Sequence, residues 1–146
     1  VPTFLPDTSC IVAAICSWHE HHERASFEIQ SRLNRKQRMV MAAPALVEAY
    51  SVLTRLPAPH RLSPDAALSL IEANFMQGIQ TAALTASGYA LLLRAAPDTG
   101  ISGGRIYDAV IAACARKANV DTLLTFNDLH FAFASSELEV VVPGSS

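Results

Sequence analysis

The 146 residues suffice for one domain with a real core. Hydrophobic residues make up 51% and charged residues 16%, which excludes a disordered chain and fits a well-buried α/β or α domain. A net charge of −2 excludes nucleic-acid binding through bulk positive charge, so any such binding needs a local patch or a metal.

Residues 4–6 read as a first strand that ends at Asp7. A short helix over 9–18 and a longer amphipathic one over 21–37 follow. Residues 39–42 form a second strand. Pro44 then opens a helix running to 56, in the first turn where proline is favoured. Ser63 caps a helix reaching about 76. A third strand spans 79–82, and Thr85 starts a helix ending near 96. The glycines at 100, 103 and 104 mark a flexible loop, followed by a helix over 105–118. Strands at 122–125 and 138–142 complete the pattern. Strands separated by helices of this length pair in parallel through right-handed crossovers, so the expected fold is a three-layer α/β/α sandwich around a central parallel sheet. It is read as one domain over 1–142 with a tail at 143–146.

Nothing in the pattern predicts a membrane span or a signal peptide. The uncharged stretch 73–93 is broken by Asn74, Gln77, Gly78, Gln80 and Gly88, and the apolar start has no basic region and carries Asp7 early. Cys10, Cys16 and Cys114 are odd in number and contain no CxxC, which suits inert core thiols in a reducing, cytoplasmic setting.

Three acids stand in apolar surroundings: Asp7 in FLPDTSCIV, Glu48 in APALVEAYSVL and Asp108 in RIYDAVIAACA. Burying a carboxylate without a partner is costly, so each calls for an internal cation or a bound metal. Asn127 and Asp128 follow the apolar run DTLLTF. In parallel sheets the functional crevice lies at the carboxyl ends of the strands, and the topology brings all these positions there. Clustered carboxylates repel unless a cation neutralises them, and hard cations such as Mg²⁺ and Mn²⁺ take carboxylate oxygens. Such a centre suits phosphodiester hydrolysis.

The order LPDTSCIVAA, PALVEAYSVLTR and GGRIYDAVIAACARKANVDTLLTFNDLHF resembles PIN domains, and most of all the VapC group of toxin ribonucleases, over nearly the whole chain. That resemblance implies a metal-dependent endoribonuclease cutting single-stranded or looped RNA, with Asp7, Glu48 and Asp108 holding Mg²⁺ or Mn²⁺. It implies that Thr8 or Ser9 orients a metal-bound water and that Thr125 hydrogen-bonds the carboxylates. It further implies a homodimer, expected here over 46–76, and inhibition by a cognate antitoxin. The family commonly has Asp two residues after the Thr of strand four. Asn127 stands there instead, with Asp128 next, so the fourth catalytic position falls to one or the other. A non-catalytic PIN-fold module that binds RNA or protein is the alternative function.

Plainer readings attach to the other conspicuous residues. The run His19-Glu20-His21-His22-Glu23 lacks further zinc ligands nearby and reads as a solvated helix start. Glu20, Arg24, Glu28 and Arg32 repeat every four residues, as surface ion pairs do. Asp108 has Arg105 three residues before it as a possible partner. Arg32, Arg35, Lys36 and Arg38 are either a solvated helix end or a phosphate contact, and Tyr107 and Phe126 could stack on bases but, as neighbours of apolar runs, read as core. Asp7 lacks the DxD of haloacid-dehalogenase phosphatases and the preceding acidic pair of phosphoreceivers.

Overall fold

The structure is a computed structural model and describes residues 1–145. Five strands form one sheet: β1 (Thr3–Pro6), β2 (Arg38–Ala42), β3 (Gln80–Ala82), β4 (Thr122–Leu124) and β5 (Glu139–Val141). Their order is β3-β2-β1-β4-β5, and every neighbouring pair is parallel. β1 is buried along its whole length, as expected of a central strand covered on both faces. Phe4, Leu5, Leu123 and Leu124 have no exposed surface and form the middle of the core.

The connecting helices are α1 (Thr8–Ile15), α2 (His22–Asn34), α3 (Ala43–Thr54), α4 (Pro64–Phe75), α5 (Ala86–Ala95) and α6 (Arg105–Lys117). The chain steps from β1 to β2 to β3 in one direction and then returns to the other side of β1. Right-handed crossovers therefore put α1–α4 on one face and α5–α6 on the other. The packing agrees, since α1 meets α2 and α3, α3 meets α4, and α5 meets α6, while α3 also touches α6. A 3-10 helix over Asp128–Ala134, absent from the sequence pattern, links β4 to β5 and packs on α6.

The predicted elements are all present, with ends differing by a few residues. α1 stops at Ile15 rather than 18, because residues 17–21 fold into turns. Caps fix several starts. Asp7 accepts the amide of Cys10, Ser63 that of Ala66, and Thr85 that of Gly88. Of the expected tail, Pro143 is buried and Gly144 lies against the Arg24 side chain with φ 85, where a Cβ would sit 2.6 Å from Arg24 Cδ. Ser146 lies outside the described residues. No helix among the described residues is long and apolar enough to cross a membrane. All three cysteines are buried and free.

Between β1 and β4 the winding direction reverses, which opens a crevice at the carboxyl edge of the sheet. α1 and α3 start at that edge directly from β1 and β2. α6 runs into β4 from the opposite edge, so its first turn lies there too.

Candidate functional site

Asp7 sits where β1 ends, and it is only 3% exposed. A carboxylate there needs hydrogen-bond donors, and the local sequence provides them. Its Oδ1 accepts the Ser9 hydroxyl at 2.6 Å and the Cys10 amide at 3.1 Å. Its Oδ2 accepts the Thr125 hydroxyl at 2.6 Å. Each hydroxyl is itself fixed from strand four's exit: Phe126 N–H donates to Ser9 Oγ at 3.1 Å, and Asn127 N–H donates to Thr125 Oγ1 at 2.9 Å. The DTS and TFN segments are thus one hydrogen-bonded unit. A carboxylate has about four acceptor positions, and three are used, which leaves one on Oδ2 for a ligand. Burial raises the Asp7 pKa, the hydrogen bonds from Ser9, Thr125 and Cys10 oppose that, and the charge of Asp108 raises it further.

The other two acids face Asp7 across a cleft of about 410 Å³ lined by Asp7, Thr8, Ser9, Glu48, Asp108 and Asn127 among others. α3 delivers Glu48, whose Oε1 accepts the Thr8 hydroxyl at 2.5 Å. α6 delivers Asp108 in its first turn, next to the positive end of the helix dipole. Its Oδ2 lies 3.3 Å from Nδ1 of His130, on the 3-10 helix. Burial raises the Asp108 pKa; His130 lowers it, Glu48 raises it, and Arg105 lowers it. Arg105 makes no ion pair with Asp108. Among the described residues none of the three acids pairs with Lys or Arg within 4.0 Å.

Thr125 is fully buried. Asn127 is exposed and lines the cleft, whereas Asp128 is exposed at the start of the 3-10 helix and does not line it. Several plainer expectations change. His19, Glu20 and His21 line the acidic cleft instead of merely starting a solvated helix. Burial, and then the charge of His21, lower the His19 pKa. Of the expected i,i+4 pairs only Glu28–Arg32 forms, at 2.9 Å, and Arg32 is buried with its guanidinium 5.9 Å from the Phe4 ring centroid. Arg35, Lys36 and Arg38 are exposed at the amino edge, opposite the cleft. Tyr107 is 56% exposed, and Phe126 lines the cleft. His130 had no signal in the sequence beyond its place after TFND. Its role depends on the 3-10 helix that turns it toward α6.

The donor set suits a hard cation: three carboxylates, two hydroxyls and an amide, all oxygen donors. The carboxylates do not converge into a ready three-ligand group among the described residues. Glu48 is held by Thr8 and Asp108 by His130 instead. Mg²⁺ needs no closed cage; one or two carboxylates with waters and substrate phosphate commonly hold it. The free acceptor position on Asp7, and two acids beside it with no Lys or Arg partner among the described residues, fit that mode.

Fold and site together define an α/β/α protein with an acidic cleft at its topological switch point. A model of the PIN domain family matches residues 4–134, and the chain belongs to that family, in its VapC group. It is 38% identical over 122 residues to ribonuclease VapC40 of Mycobacterium tuberculosis, covering 81% of this chain and 82% of that protein. The crystal structure of Mycobacterium tuberculosis VapC20, described as a Sarcin-Ricin loop cleaving toxin, superposes with a TM-score of 0.69 at 18% identity, over 96% of this chain and 99% of the other. VapBC2 from Rickettsia felis, bound to a DNA fragment from its promoter, gives 0.67 at 18% identity, over 97% and 98%. At that identity the two structures speak for the fold.

Proposed function

We propose that this chain is a metal-dependent endoribonuclease that cuts single-stranded or looped RNA, the toxin of a toxin–antitoxin pair acting in the cytoplasm. One observation carries the reading: Asp7, Glu48 and Asp108, from separate parts of the chain, line one cleft with no Lys or Arg partner among the described residues. The similarity to VapC40, named a ribonuclease, supports the same chemistry.

Asp7 and Asp108 are the residues that would hold Mg²⁺ or Mn²⁺, with Glu48 binding the ion or its water. When bound, the ion would polarise the phosphate and lower the pKa of the attacking water. The protein's share is positioning. Ser9 and Thr125 fix both oxygens of Asp7, so the carboxylate cannot rotate away from the cleft. Thr8 orients Glu48 on the cleft wall, where it can accept a proton from water. His130 steadies Asp108. Asn127 is the neutral fourth member, able to hydrogen-bond water or a phosphate oxygen without adding repulsion to the RNA.

We place a homodimer contact on the outer face of α3, α5 and α6, which shares only α3 with the expected region 46–76. α5 buries no residue, although it carries three consecutive leucines. Val47 (71% exposed), Leu93 (62%) and Tyr107 line one apolar groove there, with Glu48 at its edge. An antitoxin is the proposed regulator, in line with solved VapBC complexes such as VapBC-1 from Haemophilus influenzae.

The neutral Asn127 favours the non-catalytic binding module as second reading. One experiment separates them: incubation of the purified chain with a mixed RNA pool in Mg²⁺ and in chelator. Cleavage of unpaired RNA that stops in chelator supports the nuclease. Binding without cleavage in either condition supports the module.

A further inference from the structure

Five aromatic rings form a file leading into the acidic cleft. Trp18, the only tryptophan of the chain, is 47% exposed at the turn after α1. Its ring stacks on His60 at 4.1 Å and 25°. His19 lies 5.8 Å from Trp18 and 5.5 Å from His21, tilted to both. His21 stacks on Phe126 at 4.5 Å and 16°. Two stacked pairs are thus bridged by His19, and His19, His21 and Phe126 line the same cleft as the acids. The file is held in place. His21 N–H donates to His19 Nδ1 at 3.0 Å, His22 Nδ1 bonds Ala13 O at 2.9 Å, and His60 N–H donates to Pro57 O at 2.9 Å. The Arg24 guanidinium contacts His21 and lies 5.3 Å from the Phe126 centroid.

We infer that this file is the track on which nucleobases of single-stranded RNA stack as the backbone enters the cleft; the inference rests on the ribonuclease reading above. The cleft repels a polyanion, the net charge is −2, Arg32 is buried, and the other basic residues of that stretch sit at the far edge. The acids of the cleft therefore oppose RNA entry, and a source of affinity that does not depend on charge is required there. Base–aromatic stacking is that source: it ignores charge and tolerates any sequence, because every base has a π-face. With His60 stacked on it the indole is still 47% exposed, which leaves ring surface for a base. Arg24 adds a cation where the track meets the cleft. Bases inside a duplex are already stacked and offer no free face, so the track selects unpaired RNA.

The test uses Trp18 as its own reporter. A short single-stranded RNA of mixed sequence is titrated into the full-length Asp108→Asn protein in Mg²⁺, with its duplex as comparison. Single strand should quench the emission and duplex should not. In cleavage assays Trp18→Ala should raise KM about tenfold, the loss of one stacked base, and Trp18→Phe should restore most of it. Phe27→Ala, at a more exposed aromatic on α2, should leave KM unchanged. Emission indifferent to RNA, or Trp18→Ala with the KM of the parent, overturns the track and leaves the rings as a protein-docking surface. If the parent cuts no RNA, the ribonuclease reading fails, and the quenching alone still decides whether RNA lies on the track.

Discussion

Thr125→Val is the sharpest probe of how the fold holds Asp7. Valine matches the volume and β-branching of threonine, so the change removes one hydroxyl from a fully buried position. Two hydrogen bonds go with it: the 2.6 Å donation to Asp7 Oδ2 and the 2.9 Å acceptance from Asn127 N–H. The first involves a charged, buried acceptor and contributes about 1.5–3 kcal/mol. The second is a neutral, part-buried bond and contributes about 0.5 kcal/mol. The expected loss is about 2–3 kcal/mol, or about 5–10 °C in Tm for a domain of this size. Thr125→Ser keeps the hydroxyl and loses a methyl, so it should cost only about 1 kcal/mol. The sign of the pH dependence is also fixed. Asp7 already has a raised pKa in the folded protein, so its ionisation lowers stability as pH rises from the unfolded value through the folded one. Removing a contact that favours the charged form raises that pKa again. The deficit of Thr125→Val against the parent should therefore be full at pH 7 and shrink as pH falls and Asp7 takes up a proton in both proteins. Urea unfolding at pH 7 and near pH 4 reads this directly. A valine variant as stable as the serine variant at pH 7, or a deficit that grows on acidification, would mean that the Thr125 hydroxyl does not hold the Asp7 carboxylate.

Asp108→Asn should abolish metal-dependent cleavage while leaving metal-free stability at pH 7 equal or higher, because a carboxylate strained by burial and by Glu48 becomes neutral; activity equal to the parent's would remove Asp108 from the ligand set. Asn127→Ala should lower the cleavage rate about tenfold through lost positioning, and Asp128→Ala should leave it within about twofold, as measured on one RNA under single-turnover conditions; the reverse order would assign the fourth position to Asp128. Val47→Asp should convert a dimer into a monomer in light scattering at micromolar concentration; a parent protein that is already monomeric there would remove α3, α5 and α6 as a dimer face.

The parallel sheet and the helix order were legible because each strand is a short apolar run bounded by turn or cap residues. Asp7, Glu48 and Asp108 stood out because their neighbours along the chain are apolar, a property that needs no knowledge of the fold. Geometry across elements was harder to read. Arg32 looked like a surface partner from its four-residue spacing, yet the lie of α2 over β1 and β2 buries it. His19 and His21 looked solvated because nothing local reveals that the turn after α1 bends back over the cleft. His130 and the short helix carrying it gave no periodic signal, since a 3-10 segment of seven residues is too brief to establish one. Trp18 and His60 are forty-two positions apart in sequence, and only the packing of α1 on α3 brings their rings together.

If the acids of this cleft hold a divalent cation, calorimetric titration of Mn²⁺ into the RNA-free protein will show it. One firm site per chain is expected, because Asn127 adds no charge toward a second, and it should be lost in Asp7→Asn and in Asp108→Asn with both variants still folded. Two tight sites would contradict the Asn127 assignment, and binding unchanged in both variants would contradict the metal centre itself.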